Sequence, residues 1–223
     1  MFVFTSMNRT LFLVVFLCTA SLATAQQNSA AQVMDRFSAA MQEVVAAEMH
    51  FVFSGADGRG IEITPFEGVI YRQGADFAML NSFAEVYACG NTKWIFTVDN
   101  NEAVVMTHDP TSVDLAENPL ALFSAQHSKE YALSGKPNRF TDNGKEITEI
   151  TLTPKGKNMP YTSILLRIYS QTFTPHSVKY NAKDGGWYEA VIINYTPKKQ
   201  PFPPERFIFS AAEHPGVYVA DLR

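Results

Sequence analysis

The sequence has very little cysteine and none of the common catalytic motifs. Its 223 residues include two cysteines, Cys18 and Cys89. Cys18 lies in an apolar N-terminal leader, so Cys89 remains alone and no internal disulfide can form. The nucleophile elbow, the P-loop and the Cys-x-x-Cys pair are all missing. These absences argue against a disulfide-stapled fold and against thiol-based or nucleotide-dependent catalysis, and we interpret Cys89 as a small core residue.

Metal-binding and acid–base patterns are also missing from the sequence. The acidic residues occur singly along polar faces, without the paired carboxylates of a glycosidase. The five histidines are scattered, and no two of them have a spacing typical of metal ligands. They are His50, His108, His127, His176 and His214. We therefore expect no catalytic residue, no metal and no cofactor, and we predict that the protein is not an enzyme.

The charge balance is mildly acidic. The chain carries 18 Lys and Arg against 22 Asp and Glu, which gives a formal net charge of −4. No long basic run occurs anywhere along the chain. Nucleic acid is therefore excluded as an expected partner.

Residues 1–25 are typical of a secretory signal peptide rather than of folded structure. Arg9 supplies a positive charge, 11–17 (LFLVVFL) is an apolar run too short to span a bilayer, and Ala23-Thr24-Ala25 resembles a cleavage site. We expect cleavage after Ala25, a periplasmic location and one domain at 26–223. An uncleaved N-terminal anchor is the alternative, and a lipoprotein modified at Cys18 fits less well.

One long helical pattern precedes a series of strand patterns. Within 28–48, apolar residues recur at steps of three and four and share one face, with Asn28 or Ser29 as the cap. A first strand is predicted at 49–54, followed by strands at 60–63 and 67–72 that Pro65 separates. The helix is expected to pack on the sheet or to lie over the mouth of an incompletely closed one.

The stretch 68–98 predicts a meander of short strands. Gly74, Asn81-Ser82 and Gly90-Asn91 divide it into pieces at 68–72, 76–81, 83–88 and 92–98. Further strand patterns follow residue 130, and two close the chain, at 207–209 and 217–219. Because no strand–helix alternation occurs, the sheet is predicted to be antiparallel.

Residues 111–130 have a different character from the strands on either side. Asn118-Pro119 indicates the start of a short helix that contains Leu120 and Phe123. Long apolar connections are often functional, so this segment is a candidate lid.

Two strands carry apolar residues on both faces, at 94–96 (WIF) and 164–166 (ILL). A sheet with one solvated face does not need this pattern. Either protein covers both faces, or one face lines a cavity for an apolar ligand.

The order of these features resembles the outer-membrane lipoprotein carrier family, LolA. The similarity extends from about residue 30 to 223 and depends on five local motifs in the family's order. These are 68–71 (GVIY) followed by Phe77, 90–94 (GNTKW), 118–120 (NPL), 152–155 (LTPK), and 207–209 (FIF) with 215–223 (PGVYVADLR).

The resemblance implies a mainly β fold, an incomplete antiparallel β-barrel covered by an N-terminal amphipathic helix and a short central lid helix. It implies a monomeric periplasmic carrier that binds the acyl chains of lipoproteins. Such a carrier takes its cargo from an inner-membrane ABC release complex toward an outer-membrane acceptor, without catalysis or cofactor.

On this reading we predict contacts to lipid from apolar residues of the meander, the lid and a later strand. The predicted lipid-binding residues are Met79, Trp94, Phe96, Met106, Leu120, Phe123, Ile164 and Leu166. Lid or gating roles are assigned to Phe37, Met41, Arg72 and Gln73.

The assignment of the gating residue remains open between two neighbours. The family often has Arg-Pro after the aromatic residue of the 68–72 strand, and its arginine ties the lid to the barrel. This chain has Tyr71-Arg72-Gln73-Gly74 and no proline. Adjacent strand residues point to opposite faces, so either Arg72 or Gln73 takes that role.

Two other functions fit the same sequence. The protein could carry free lipids or glycolipids instead of lipoproteins. It could also be a periplasmic sensor or interaction module with a filled core and no lipid.

Overall fold

The computed structural model describes residues 29–112, 130–156 and 159–223. The predicted signal peptide, the predicted lid helix and the lid residues Leu120 and Phe123 lie outside these ranges. The one domain predicted at 26–223 stays a prediction.

The described chain contains one long helix followed by thirteen strands. Helix α1 (Ala30–Glu43) comes first. The first half of the sheet is β1 (Ala46–Ala56), β2 (Glu62–Gln73), β3 (Asp76–Asn81), β4 (Ala84–Cys89), β5 (Thr92–Thr97) and β6 (Glu102–Thr107). The second half is β7 (Tyr131–Leu133), β8 (Asn138–Asp142), β9 (Lys145–Pro154), β10 (Tyr161–Tyr169), β11 (Pro175–Ala182), β12 (Trp187–Lys198) and β13 (Tyr218–Asp221).

All thirteen strands belong to one open sheet. Its order is β13-β6-β5-β4-β3-β2-β1-β12-β11-β10-β9-β7, and β8 pairs with the remaining part of β9. Every pair is antiparallel except β13 with β6. Among the described strands the outer ones do not pair with each other, so the predicted half-barrel with an N-terminal helix is confirmed.

Helix α1 is shorter than the pattern at 28–48 predicted. Ser29 is its cap: the Gln32 backbone N–H donates to Ser29 Oγ at 3.3 Å, and the Ser29 N–H donates to Gln32 Oε1 at 2.9 Å. The helix ends at Glu43 because Val44 is already extended, and Ala46 pairs with Lys198 as the start of β1. Sheet pairing therefore determines the structure of residues 46–48, although their side chains also suit a helix.

Two strand predictions were wrong. Pro65 does not divide β2, because it lies where the β1–β2 register shifts between Phe66 and Ile63, so no regular ladder bond is lost there. The segment predicted as a strand at 207–209 instead begins with the last residue of a 3-10 turn, Pro204–Phe207, and is not a strand.

Each face of the sheet is covered by a different part of the chain. We call the face that α1 covers the helix face. The opposite face of β3 to β6 is covered by residues 199–217, which we call the strap. Alternation along β3 shows the division: Phe77 belongs to the core with α1, and Ala78 belongs to the core with Phe207 of the strap.

Candidate functional site: the helix face of the sheet

Helix α1 buries its apolar side against the aliphatic floor of the sheet. Phe37 and Met41 are fully buried. They share one core with Met49 of β1 and with Ile164 and Leu166 of β10. Contact between these side chains fixes the helix through apolar packing, which is non-directional.

One buried guanidinium contacts the end of α1. Arg72 of β2 is 7% exposed, and its Nη1 donates to the Met41 carbonyl oxygen at 2.9 Å. Helix C-terminal carbonyls lack intrahelical partners and carry partial negative charge, so a cation suits this position. Burial lowers the pKa of the Arg72 guanidinium, and nearby Tyr195 opposes that effect.

Gln73 lies beside Arg72 but acts on the other face. Its Oε1 accepts a hydrogen bond from the Phe202 backbone N–H at 2.7 Å, which ties the strap to β2. Of the two candidate gating residues, Arg72 is therefore the one that contacts a helix. A gating role for either residue stays a prediction.

A row of seven aromatic side chains crosses the helix face toward the end of the sheet where β1 meets β2. Six strands and the β3–β4 turn each contribute one ring, and neighbouring rings are in contact or directly paired. The row consists of Tyr131, Tyr161, Tyr180, Tyr188, Phe53, Phe66 and Phe83. We call this set the aromatic row.

Burial of the rings decreases from Tyr131 at one end of the aromatic row to Phe83 at the other. Tyr131 and Tyr161 are buried at its inner end, where their hydroxyls are 2.7 Å apart. Burial raises the pKa of Tyr180, next in the row, and the neighbouring Tyr161 adds to the effect. Phe53 and Phe66 are half-buried, with ring centroids 5.0 Å apart. Phe83 is 51% exposed at the outer end.

The structure divides the predicted lipid-binding residues between the two faces. Met79, Met106, Ile164 and Leu166 lie on the helix face, where Met79 is half-buried and pairs with Ile70 of β2. Trp94 and Phe96 lie in the core beneath the strap instead. Successive residues of β5 point to opposite faces of the sheet. Ile95 pairs with Val86 and Val104 on the helix face, so its neighbours Trp94 and Phe96 point to the other face. We leave Trp94 and Phe96 out of the candidate site.

The sequence did not point to the aromatic row. Its members lie in separate strands, and each one alone is typical of an ordinary strand residue. Only the register brings them together: Tyr180 lies opposite Tyr188, and Phe53 lies opposite Phe66.

Two grooves formed by described residues lie away from α1. One, of about 460 Å³, is bordered by Ile192–Tyr195 of β12 and by the turns around Gly144 and Thr172. The other, of about 500 Å³, lies between the strap and Leu80 and Tyr87. No residue of α1 lines either groove.

Two kinds of feature were not found in the described ranges. No three His, Cys, Asp or Glu side chains gather as a metal site would require in 29–112, 130–156 and 159–223. Within the same ranges, no helix has the length and apolar character needed to cross a membrane.

Comparison with known proteins gives a likeness in fold. No family model and no curated protein matches the sequence. An uncharacterized conserved protein from Thermus thermophilus matches in structure with a TM-score of 0.56 and 8% identity, over 85% of this chain and 96% of that one.

Two further structures align over most of their lengths. A LolA superfamily protein from Nitrosomonas europaea has a TM-score of 0.43 and 10% identity, over 82% of this chain and 98% of its own. The lipoprotein LppX from Mycobacterium tuberculosis has a TM-score of 0.44 and 10% identity, over 76% and 95%. At these identities the likeness concerns the fold alone.

Proposed function

We propose that this protein is a periplasmic carrier that binds the acyl chains of lipoproteins on the helix face and moves them from the inner toward the outer membrane. The observation that supports this most is the aromatic row. It is a continuous apolar surface that runs from the buried core beneath α1 to the exposed Phe83. Single exposed apolar residues are ordinary, but a contiguous row of partly exposed rings is typical of a binding surface.

The energetics favour an alkyl chain as the ligand. Each CH₂ group removed from water contributes about 0.8 kcal/mol, so a chain of about twelve carbons contributes on the order of 10 kcal/mol before binding costs. No charged group is needed for such binding, and no bond is made or broken. The proposed role is therefore binding and release rather than catalysis.

Release would come from movement of α1 on the sheet. The contacts of α1 are mostly apolar, and an acyl chain can replace apolar contacts without a directional partner. The Arg72 bond to the Met41 carbonyl then restores the docked position after the cargo leaves. In this proposal the carrier is a monomer that takes its cargo from an inner-membrane ABC release complex and gives it to an outer-membrane acceptor.

Cargo identification tests the proposal directly. The protein is purified from a periplasmic extract, and co-purified material is analysed by mass spectrometry after organic extraction. Acylated lipoproteins support the proposal, and free lipids or glycolipids alone would support the alternative carrier. A clean preparation that also fails to bind an acyl fluorophore would refute both.

A matched pair of variants locates the site. Phe53→Ala removes a half-buried ring from the aromatic row, and Phe202→Ala removes a half-buried ring from the strap. Fluorophore affinity should fall about tenfold for the first, since one aromatic contact is worth about 1–2 kcal/mol, and stay unchanged for the second. Equal losses would place the site elsewhere.

The groove beside β12 favours a second candidate function, a peptide-binding module. Beyond Val191, β12 has no β11 partner among the described residues, because β11 pairs with it only as far as Ser177. Ile192–Tyr195 therefore offer a free strand edge to the groove, which suits addition of an extended peptide. Backbone NMR shifts confined to 192–195 on adding a periplasmic peptide would support it.

A further inference from the structure

Three neighbouring hairpins at one end of the sheet each carry one exposed aliphatic or aromatic side chain. They connect β1 to β2, β3 to β4, and β5 to β6, and we call them the hairpin rim. The exposed fractions are 55% for Ile61, 51% for Phe83 and 40% for Val98. Isolated exposed apolar residues are ordinary, but one on each of three adjacent hairpins is a pattern.

Two of these side chains are held outward by fixed turns. Asn81 Oδ1 accepts hydrogen bonds from the backbone N–H of Phe83 at 2.8 Å and of Ala84 at 3.0 Å. Asp57 Oδ1 likewise accepts from the N–H of Ile61 at 3.0 Å. Because these turns are already fixed, inserting such a side chain into a membrane or a partner costs little further backbone entropy.

The hairpin rim is continuous with the aromatic row. The Val98 N–H donates to the Phe83 carbonyl oxygen at 3.0 Å, so these two hairpins are adjacent. The Phe83 ring meets Phe66 edge-on at 5.1 Å, and Phe66 stacks on Phe53. An apolar path thus leads from the hairpin rim into the core beneath α1.

Charge around the hairpin rim is acidic. Glu62 and Asp99 are exposed there. Arg59 donates from Nε and Nη2 to Asp57 Oδ2 at 3.0 and 2.7 Å, so its charge is neutralised locally. This surface complements the ammonium groups of zwitterionic headgroups and gives no reason for attraction to anionic lipid.

We propose that the hairpin rim docks on a zwitterionic phospholipid bilayer by inserting Ile61, Phe83 and Val98 into its interface. Apolar and aromatic side chains are stable at that depth, while the flanking polar turns stay among the headgroups. Docking would place the aromatic row against the membrane from which acyl chains pass. That last step rests on the proposed carrier function; docking itself does not.

Vesicle sedimentation tests the docking. The full chain is mixed with phosphatidylcholine–phosphatidylethanolamine vesicles, and wild type should co-sediment. The triple variant Ile61→Ser, Phe83→Ser, Val98→Ser should bind at least about tenfold more weakly. Ile193→Ser is the matched control, because Ile193 is 57% exposed near the middle of β12, away from the hairpin rim, and it should bind like wild type.

The depth of Phe83 gives an independent readout. Phe83→Trp should show quenching by brominated acyl chains beyond that of wild type, whose Trp94 and Trp187 are half-buried. Replacing part of the lipid with phosphatidylglycerol should leave binding unchanged or weaken it. Stronger binding to anionic vesicles, equal binding by the triple variant, or no added quenching in the Phe83→Trp variant would overturn the proposal.

Fluorophore binding separates this inference from the carrier function. The double variant Ile61→Ser, Val98→Ser leaves the aromatic row intact, so it should bind vesicles more weakly than wild type and keep wild-type affinity for an acyl fluorophore. Urea denaturation checks that the triple variant is folded. Vesicle binding without fluorophore binding in any form would refute the carrier and leave docking intact. Fluorophore binding with no vesicle binding would refute docking alone.

Discussion

The two faces of the sheet are covered in physically different ways. The strap is tied down by directional contacts: Gln73 accepts from the Phe202 N–H, and Asn101 Nδ2 donates to the Pro215 carbonyl oxygen. Directly after the strap, β13 pairs with β6. Helix α1 packs mainly through apolar side chains. Its directional contacts are the buried hydrogen bond from Arg72 and weaker ones, such as the Ala30 N–H to the Gly135 carbonyl oxygen at 3.5 Å. Directional contacts hold one arrangement, whereas apolar packing tolerates exchange of one apolar partner for another. On this comparison we expect α1 to be the cover that can move and the strap to be the fixed one.

The sharpest test of this comparison uses two fully buried phenylalanines, one under each cover. Phe37→Ala and Phe207→Ala should each lower the free energy of unfolding by about 3–5 kcal/mol, because each leaves a cavity. Urea denaturation measures both. Only Phe37→Ala should change the affinity for an acyl fluorophore, and an equal change in Phe207→Ala would remove the distinction between the two covers.

A smaller effect on stability is expected from adding a methyl group at Gly68, on the helix face of β2. A Cβ at Gly68 would lie 2.4 Å from Phe51 Cζ and 2.8 Å from the Leu80 carbonyl oxygen. Gly68→Ala should therefore lower the free energy of unfolding by about 1–3 kcal/mol and weaken fluorophore binding, because the Phe51 ring must shift. Gly135→Ala, where no atom lies within 4 Å of the added Cβ, is the control and should change neither.

Arg72 and Gln73 allow each cover to be loosened separately. Arg72→Met removes the bond to α1, and Gln73→Met removes the bond to the strap. Each loss should lower the local opening free energy by about 1 kcal/mol, or about fivefold in amide exchange rate. Hydrogen exchange should speed up in α1 for the first variant and at Phe202 for the second. Faster exchange on both faces in either variant would contradict independent covers.

The smallest effect concerns an ion pair between β1 and β12, on the face of the sheet opposite α1. Hydrogen bonds from Lys198, at 2.9 Å, and then from His50 hold the pKa of Glu48 below its ordinary 4.5. Its contribution is therefore present above that value and is lost as pH falls through the lower folded pKa. Because the pair is partly exposed, Glu48→Gln should cost less than about 1 kcal/mol at neutral pH.

Urea unfolding across pH checks this assignment. The difference between wild type and Glu48→Gln should shrink as pH falls below 4.5 and through the lower folded pKa, beyond which Glu48 is protonated in both folded and unfolded chains. A difference that does not change with pH would mean that the Glu48 charge contributes nothing to folding.

Local turn chemistry explains why the strand meander could be predicted from the sequence. The predicted strand at 76–81 matches β3, and Gly74 and Gly90 adopt positive φ at the turns, as their freedom from a Cβ allows. The end of α1 and the passage of β2 through Pro65 could not be predicted, because pairing between distant strands decides both.

The candidate site was harder to predict than the fold. Alternation within β5 indicates which side chains share a face, but not which face the helix covers. The sequence therefore predicts Trp94 and Phe96 as lipid-binding residues, whereas the structure places them beneath the strap. The aromatic row depends on register across strands that are far apart in sequence.

The pairing of β1 with β12 has a consequence for how the chain becomes folded. Ala46 lies opposite Lys198, so β1, at the centre of the sheet, cannot complete its pairing until β12, one of the last strands, has been synthesised. Contacts of such long sequence separation form slowly, since loop closure must precede them. A chain emerging from a ribosome or a translocon therefore stays incomplete until residues 187–198 are released. The topology itself delays folding until the polypeptide is almost fully delivered.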